Sequence, residues 1–225
     1  GQGTRFGLAW KGVEVMRLDW PMPGLFNARN LAMACLASLL ARKILTGNPM
    51  AKEGDGFNPF SSLSLPDFSG CAGVKRRQEI LHDSEELVVL SDFAHHPTAI
   101  AGALESLRAR WSGREIIACF EPRSNTAVTN VFEDRFADAL ALADTALLGA
   151  VHRAEKIPVD KRINPQNMIQ RIEDQGRVGH AFNTNQELES FLLDYHFSGS
   201  ALVVFFSNGS FDGVIGRFAE FVKKM

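Results

Sequence analysis

The run Ser91-Asp92-Phe93-Ala94-His95-His96-Pro97-Thr98-Ala99-Ile100 gathers an acid, an aromatic ring and two imidazoles between an apolar strand and a proline-started helix. Pro is tolerated in a first helical turn because its missing N–H would be unpaired there, so Asp92 to His96 line the loop before that helix. The Asp92 carboxylate could accept both hydroxyls of a ribose, and Phe93 offers a flat apolar face to a base; a turn-forming Asp and a core Phe are their plainer roles. His95 and His96 point apart on a strand or loop and have no third ligand at helical spacing, which argues against a metal site.

Four other groups carry chemistry. Asn27 and Asn30 lie three apart in a first helical turn, where carboxamides suit a nucleotide, although Asn27 also serves as an ordinary N-cap. Arg77, after Lys75 and Arg76, has the guanidinium geometry of a phosphate clamp, or is one charge of a solvated basic turn. Arg123 with Ser124, Asn125 and Thr126 makes a cluster for carboxylates, as do the small donors Ser207, Asn208, Gly209 and Ser210. Turn chemistry explains Asn208-Gly209 equally well. The stretch Val151-His152-Arg153-Ala154-Glu155-Lys156 is a further polar loop.

Several functions are disfavoured. No G-x-x-x-x-G-K-[ST] loop, G-x-S-x-G elbow or H-E-x-x-H pair occurs. Twenty-four basic and 26 acidic residues give a net charge of −2, with no basic cluster beyond Lys75-Arg76-Arg77, so no nucleic-acid partner is implied. Cys35, Cys71 and Cys119 have no C-x-x-C spacing, which fits a reducing cytoplasm. The longest mainly apolar run, Leu31 to Ala41, is too short to cross a bilayer.

These groups need elements to hold them. Alternation through Phe6, Leu8 and Trp10, then Val13 and Val15, predicts a hairpin turning at Lys11-Gly12. A buried helix, apolar nearly all round, is expected from Asn27 to about Leu45, with Gly47 as its stop. Residues 48–73, rich in Pro, Gly and Ser, read as a domain junction. Strands are then predicted over 87–90, 116–120, 146–151, 178–182 and 201–206. Helices are predicted over 97–110, 131–142, 165–175, 186–195 and 212–223. Such alternation means an α/β fold with a mostly parallel sheet covered on both faces, whose ligands sit beyond the carboxyl ends of its strands.

Taken in order, Gly73-Val74-Lys75-Arg76-Arg77, the Asp-Phe-Ala-His-His-Pro-Thr-Ala-Ile run, Glu121 to Thr126 and Phe206 to Gly213 resemble the Mur ligases. The resemblance is to the peptide-recycling branch, which joins UDP-N-acetylmuramate to the tripeptide L-Ala-γ-D-Glu-meso-diaminopimelate. It implies a Rossmann-like C-terminal domain at residues 71–225, preceded at 1–70 by the hairpin-and-helix end of a central ATPase domain plus a linker. The chain has no starting Met, and the P-loop and UDP-binding parts are expected in missing N-terminal and central domains of a longer polypeptide. The implied cofactors are ATP and Mg2+, with the Mg2+ ligands mostly outside this chain.

By resemblance, Asn27, Asn30, Arg77, Asp92, Phe93 and His95 would face the nucleotide. Arg123, Ser124, Asn125, Thr126, Ser207, Asn208 and Gly209 would face the incoming tripeptide. No catalytic residue is expected in this piece, which would be inactive alone. The family usually reads Gly-x-His-Asn-x-x-Asn, and here Phe26 takes the place of the histidine. Two rivals are a non-catalytic peptide- or nucleotide-binding module and the Mur ligase that adds L-alanine.

Overall fold

The computed structural model describes residues 4–10, 12–20, 24–46 and 74–224, so the expected junction over 48–73, Cys71 and the Gly47 stop lie outside the described residues. The chain groups into two compact units, Gly1–Gly73 and Val74–Met225.

In the first unit, β1 (Thr4–Trp10) and β2 (Val13–Trp20) form the expected antiparallel hairpin, paired from Thr4↔Trp20 to Trp10↔Val13 with a shift of register between Leu8 and Ala9. Gly12 in its connection has φ +82°, a conformation that side-chain-bearing residues seldom adopt. The helix α1 (Leu25–Thr46) starts two residues before Asn27. The Gly24 carbonyl accepts hydrogen bonds from the Asn27 and Ala28 amides, so Asn27 belongs to the first turn and is not the cap. Expected to be buried all round, α1 instead buries one stripe through Ala28, Leu31, Cys35 and Leu39. Leu31 and Cys35 pack with Leu18 of the hairpin, which covers one face, while Met33, Ile44 and Leu45 are exposed.

The second unit is built on a six-stranded sheet of order β3-β4-β8-β5-β6-β7. Its strands are β3 (Glu79–Asp83), β4 (Leu87–Asp92), β5 (Glu115–Phe120), β6 (Thr145–Leu148), β7 (Val178–Ala181) and β8 (Ala201–Phe206). All pair in parallel except β3, which runs antiparallel to β4 at the edge. The mixed, mostly parallel sheet is the expected α/β architecture. The apolar runs of β4 and β8 are buried throughout, as parallel strands covered on both faces require. On one face α2 (Pro97–Arg110), α3 (Glu133–Leu140) and α4 (Pro165–Asp174) enclose a core with Leu90, Phe120 and Phe206. On the other, α5 (Asn185–Leu193) and α6 (Val214–Val222) pack over Val89, Cys119 and Phe205. Burial pushes the Cys119 thiol far above its ordinary pKa.

Three expected elements are shorter than their patterns. The helix expected at 131 is a 3-10 turn over Asn130–Phe132 followed by α3, and the strand expected to 151 ends at Leu148. The last helix starts at Val214, not at 212, because Phe211, Asp212 and Gly213 all have positive φ.

The start of α5 is fixed by a capping box. Thr184 Oγ1 accepts from the Glu187 amide at 3.1 Å while the Glu187 carboxylate accepts from the Thr184 amide at 3.4 Å. Thr184→Ala is expected to cost about 1 kcal/mol, read as a lowered midpoint in urea unfolding with an unchanged slope.

Candidate functional site

The parallel strands end in loops that meet around the carboxylate of Glu121, the residue after β5, which is 1% exposed. Its oxygens accept hydrogen bonds from the Ser207 hydroxyl, the Phe211 amide at 3.2 Å, Asn185 Nδ2 at 3.4 Å and the Arg123 guanidinium at 3.3 Å. Asn185, buried at the start of α5, also donates to Asp212 at 2.8 Å and accepts from the Ala150 amide at 3.0 Å. One carboxylate therefore ties together the loops after β5 and β8, and Asn185 adds the loop after β6. Sequence reading placed Glu121 beside the carboxylate cluster without giving it a role. Its signal is an acid directly after a wholly apolar strand, where only a fully hydrogen-bonded carboxylate can be buried.

Above this hub Arg123 lies across Gly209. A Cβ added at Gly209 would sit 2.3 Å from Arg123 Cδ and 2.4 Å from its Nε, so the missing side chain is the space the guanidinium occupies. Beside them opens a cavity of about 490 Å3, within the range of small-molecule sites. It is lined, from the connection after β6, by His152, Arg153, Lys156 and Ile157, and by Arg123, Ser124, Asn125 and Asn208.

Of the residues expected to face the acceptor, those four line the cavity and three do not. Ser207 is buried beneath it, donating to Glu121 and accepting from the Gly209 amide at 2.7 Å. Gly209 makes room for Arg123. Thr126 closes a turn, its carbonyl accepting from the Thr129 hydroxyl at 2.9 Å.

The turn after β4 is a second cluster. The Asp92 carboxylate is 3% exposed and accepts from the backbone amides of Ala94 at 2.7 Å and Gln78 at 3.1 Å. Burial raises its pKa against the pull of those amides and of Arg77 and Arg76. Its turn-forming role is thus plain in the geometry, and a ribose could reach it only if the turn opened. The half-buried Phe93 ring has the guanidinium carbons of Arg76 and Arg77 at 5.2 and 5.6 Å from its centroid, and His95 edge-on at 5.2 Å. His95 Nδ1 lies 2.9 Å from the Phe93 carbonyl.

The sequence favoured Arg77 in the basic run, yet it is Arg76 that links the two clusters. Arg76 donates to the carbonyls of Ser207 and Gly209, and its own carbonyl accepts from the Phe93 amide at 2.6 Å. A positive φ of 60° at Arg76 gives no sequence signal. His96 packs on Phe132 and precedes α2. Among the described residues no three His, Cys, Asp or Glu side chains are grouped to hold a metal ion. Asn27 and Asn30 belong to the first unit, Asn27 buried and Asn30 exposed.

The sequence profile of the family described as "Mur ligase, glutamate ligase domain" matches residues 76–209. The UDP-N-acetylmuramate–L-alanine ligase of Pelobacter propionicus is 30% identical over 188 residues, covering 84% of this chain and 37% of that protein. The enzyme of the same name from Streptococcus pyogenes is 27% identical over 221 residues, covering 97% of this chain and 45% of that protein. This chain thus spans less than half the length of these curated relatives. Two solved structures share its fold. A UDP-N-acetylmuramate-alanine ligase from Thermotoga maritima superposes with TM-score 0.65 at 23% identity, covering 95% of this chain and 41% of that one. A murein peptide ligase from Psychrobacter arcticus gives 0.61 at 22%, covering 100% and 43%.

Proposed function

The chain belongs to the Mur ligase family, and from that premise we propose that it is the acceptor-binding part of an ATP-dependent ligase joining UDP-N-acetylmuramate to L-Ala-γ-D-Glu-meso-diaminopimelate. The observation that carries the tripeptide reading is the cavity of about 490 Å3 with Arg123 at its wall. It is far larger than one alanine needs, and its cationic lining matches an acceptor with several carboxylates. We assign residues 1–70 to the end of the ATPase domain with its linker and 71–225 to the C-terminal domain.

In the reaction we propose, ATP phosphorylates the UDP-sugar carboxylate and the amine of the acceptor displaces phosphate from the acyl phosphate. This chain's residues bind and orient the acceptor: Arg123 holds a carboxylate, Asn125 and Asn208 supply amide contacts, and Glu121 with Ser207 fixes Arg123. The turn of Arg77, Asp92, Phe93 and His95, with Asn27 and Asn30, is our proposed nucleotide-facing set. Arg76 and Arg77 supply positive charge suited to a phosphate chain, and Asp92 holds the turn that carries Phe93. A purine laid on the ring face covered by a guanidinium must displace it. Magnesium would shield the charge gathering on the phosphate oxygens, and we place its ligands outside this chain.

The curated relatives named for L-alanine favour a second reading, in which the acceptor is that single amino acid. Calorimetric titration separates the two. Saturable binding of the tripeptide and none of L-alanine at equal concentration is expected; L-alanine binding as tightly as the tripeptide would overturn the first reading.

A further inference from the structure

Phe93, the flat ring we assign to the nucleotide base, is already covered by cations of its own chain, with the guanidinium carbons of Arg76 and Arg77 over it at 5.2 and 5.6 Å from the centroid. The two are held differently. Arg77 is exposed and its side chain makes no hydrogen bond among the described residues, so it can swing into water. Arg76 is half-buried, and its guanidinium donates to the carbonyls of Ser207 and Gly209 in the loop after β8. That loop is itself fixed, because the Ser207 hydroxyl donates to the buried carboxylate of Glu121 and accepts from the Gly209 amide at 2.7 Å. The backbone of Arg76 is fixed as well: its amide donates to Glu79 Oε2 at 2.8 Å, and its carbonyl accepts from the Phe93 amide at 2.6 Å. Ring, cation and loop are thus tied into one connected set.

The turn that carries Arg76 holds this arrangement against local penalties. Arg76 and Gln78 have φ of +60° and +49°, in the left-handed region uncommon for residues with a side chain. Gln78 is 5% exposed, and neither polar atom of its carboxamide has a hydrogen-bond partner among the described residues. A second arrangement of the turn, one that lets go of the loop after β8, would relieve both. We propose that Arg76 is an intramolecular plug on the Phe93 ring, closing it to a base unless the same ligand brings phosphates to take over the guanidinium. Phosphate oxygens are better partners for a guanidinium than two neutral carbonyls, since they add charge and accept two parallel bonds. A nucleoside must break the contact with the ring and both carbonyl bonds while offering Arg76 nothing; a nucleotide exchanges them for stronger ones. The inference rests on the assignment of Phe93 to the base and deepens it: a nucleoside is refused by a ring already occupied in the free protein, a repulsive element and not merely a missing contact.

The test titrates adenosine and ADP separately into the chain and into Arg76→Ala, reading binding from the amide resonance of Phe93 and checking the fold by circular dichroism. Alanine carries a Cβ as arginine does, so the positive φ gains no new strain. Removing the plug is expected to tighten adenosine binding at least about tenfold, the scale of a cation–ring contact together with a charged hydrogen bond. ADP, which loses a phosphate partner as it gains the ring, should bind no more tightly than before. Arg76→Lys keeps the charge and a bond to one carbonyl but lays no planar group on the ring. It should show a smaller gain for adenosine, and it guards against a loosened loop in the alanine variant. An Arg76 that only clamps phosphate gives the opposite pattern, adenosine unchanged and ADP weakened. That result, or an equal gain for both ligands, overturns the plug and leaves Phe93 assigned to the base. If neither ligand shifts the Phe93 amide in the wild-type chain or the variants, the assignment of Phe93 falls and the plug with it.

Discussion

Glu121→Ala is expected to destabilise the Val74–Met225 unit by about 3–5 kcal/mol, the scale of removing one partner from a buried charged network. The reason lies in what the carboxylate leaves behind. The Ser207 hydroxyl is fully buried and would lose its acceptor, and the Phe211 amide would lose its partner in a loop held at positive φ. Asn185 keeps its bonds to Asp212 and Ala150, and Arg123, 30% exposed at its side chain, can turn to water. The penalty therefore comes chiefly from two buried donors, each worth about 1–3 kcal/mol when unsatisfied, and from the cavity.

For a domain of this size such a loss lowers the melting temperature by on the order of 10 °C. Calorimetry of the variant checks it, and a change under about 1 kcal/mol would mean that the loops hold each other without Glu121. Glu121→Gln keeps an acceptor but turns two N–H donors toward the donors already there. It should recover only part of the loss.

The same carboxylate explains how far the sequence could be read. β4, β5 and β8 were legible because strands buried on both faces are continuous apolar runs, and α2 because Pro97 opens it and Ile100, Leu104 and Leu107 keep helical spacing. β3 escaped notice since an edge strand with a register shift near Ile80 and mixed burial leaves no clean alternation. The run from Asp212 to Lys223 looked like one helix because apolar spacing says nothing of φ. Asp212 is held out of the helix by its bond to Asn185, a residue 27 positions away.

Candidate site residues were legible as types but not as roles. Arg123, Asn125 and Asn208 reach the cavity, yet Ser207 and Thr126, chosen as contacts for a ligand, bond to the protein itself: the Ser207 hydroxyl donates to Glu121 and the Thr126 carbonyl accepts from the Thr129 hydroxyl. A hydroxyl near a strand end serves ligand or scaffold according to which partner is closer, and that partner is distant in sequence. Arg76 and Arg77 are indistinguishable by composition. Only the carbonyls of Ser207 and Gly209, which sit more than 130 positions along the chain, single out Arg76.

Gly209→Ala should separate binding from stability. Gly209 is not among the glycines with positive φ, so the backbone can carry alanine, and the obstacle is Arg123 alone. The atoms in the way, Cδ, Nε and Cζ, belong to a flexible side chain that can swing aside, so stability should change by less than about 1 kcal/mol. The displaced guanidinium leaves Glu121 and the cavity wall, and affinity for the diaminopimelate tripeptide should fall at least about tenfold, the worth of a lost charged contact. Arg123→Ala removes the same contact directly and should cost as much. The decisive measurement is the pair: if Gly209 acts only by making room for Arg123, the double variant binds no worse than Arg123→Ala, a strong departure from additivity. Additive losses would instead place Gly209 in contact with the peptide on its own account, through the amide that now donates to Ser207.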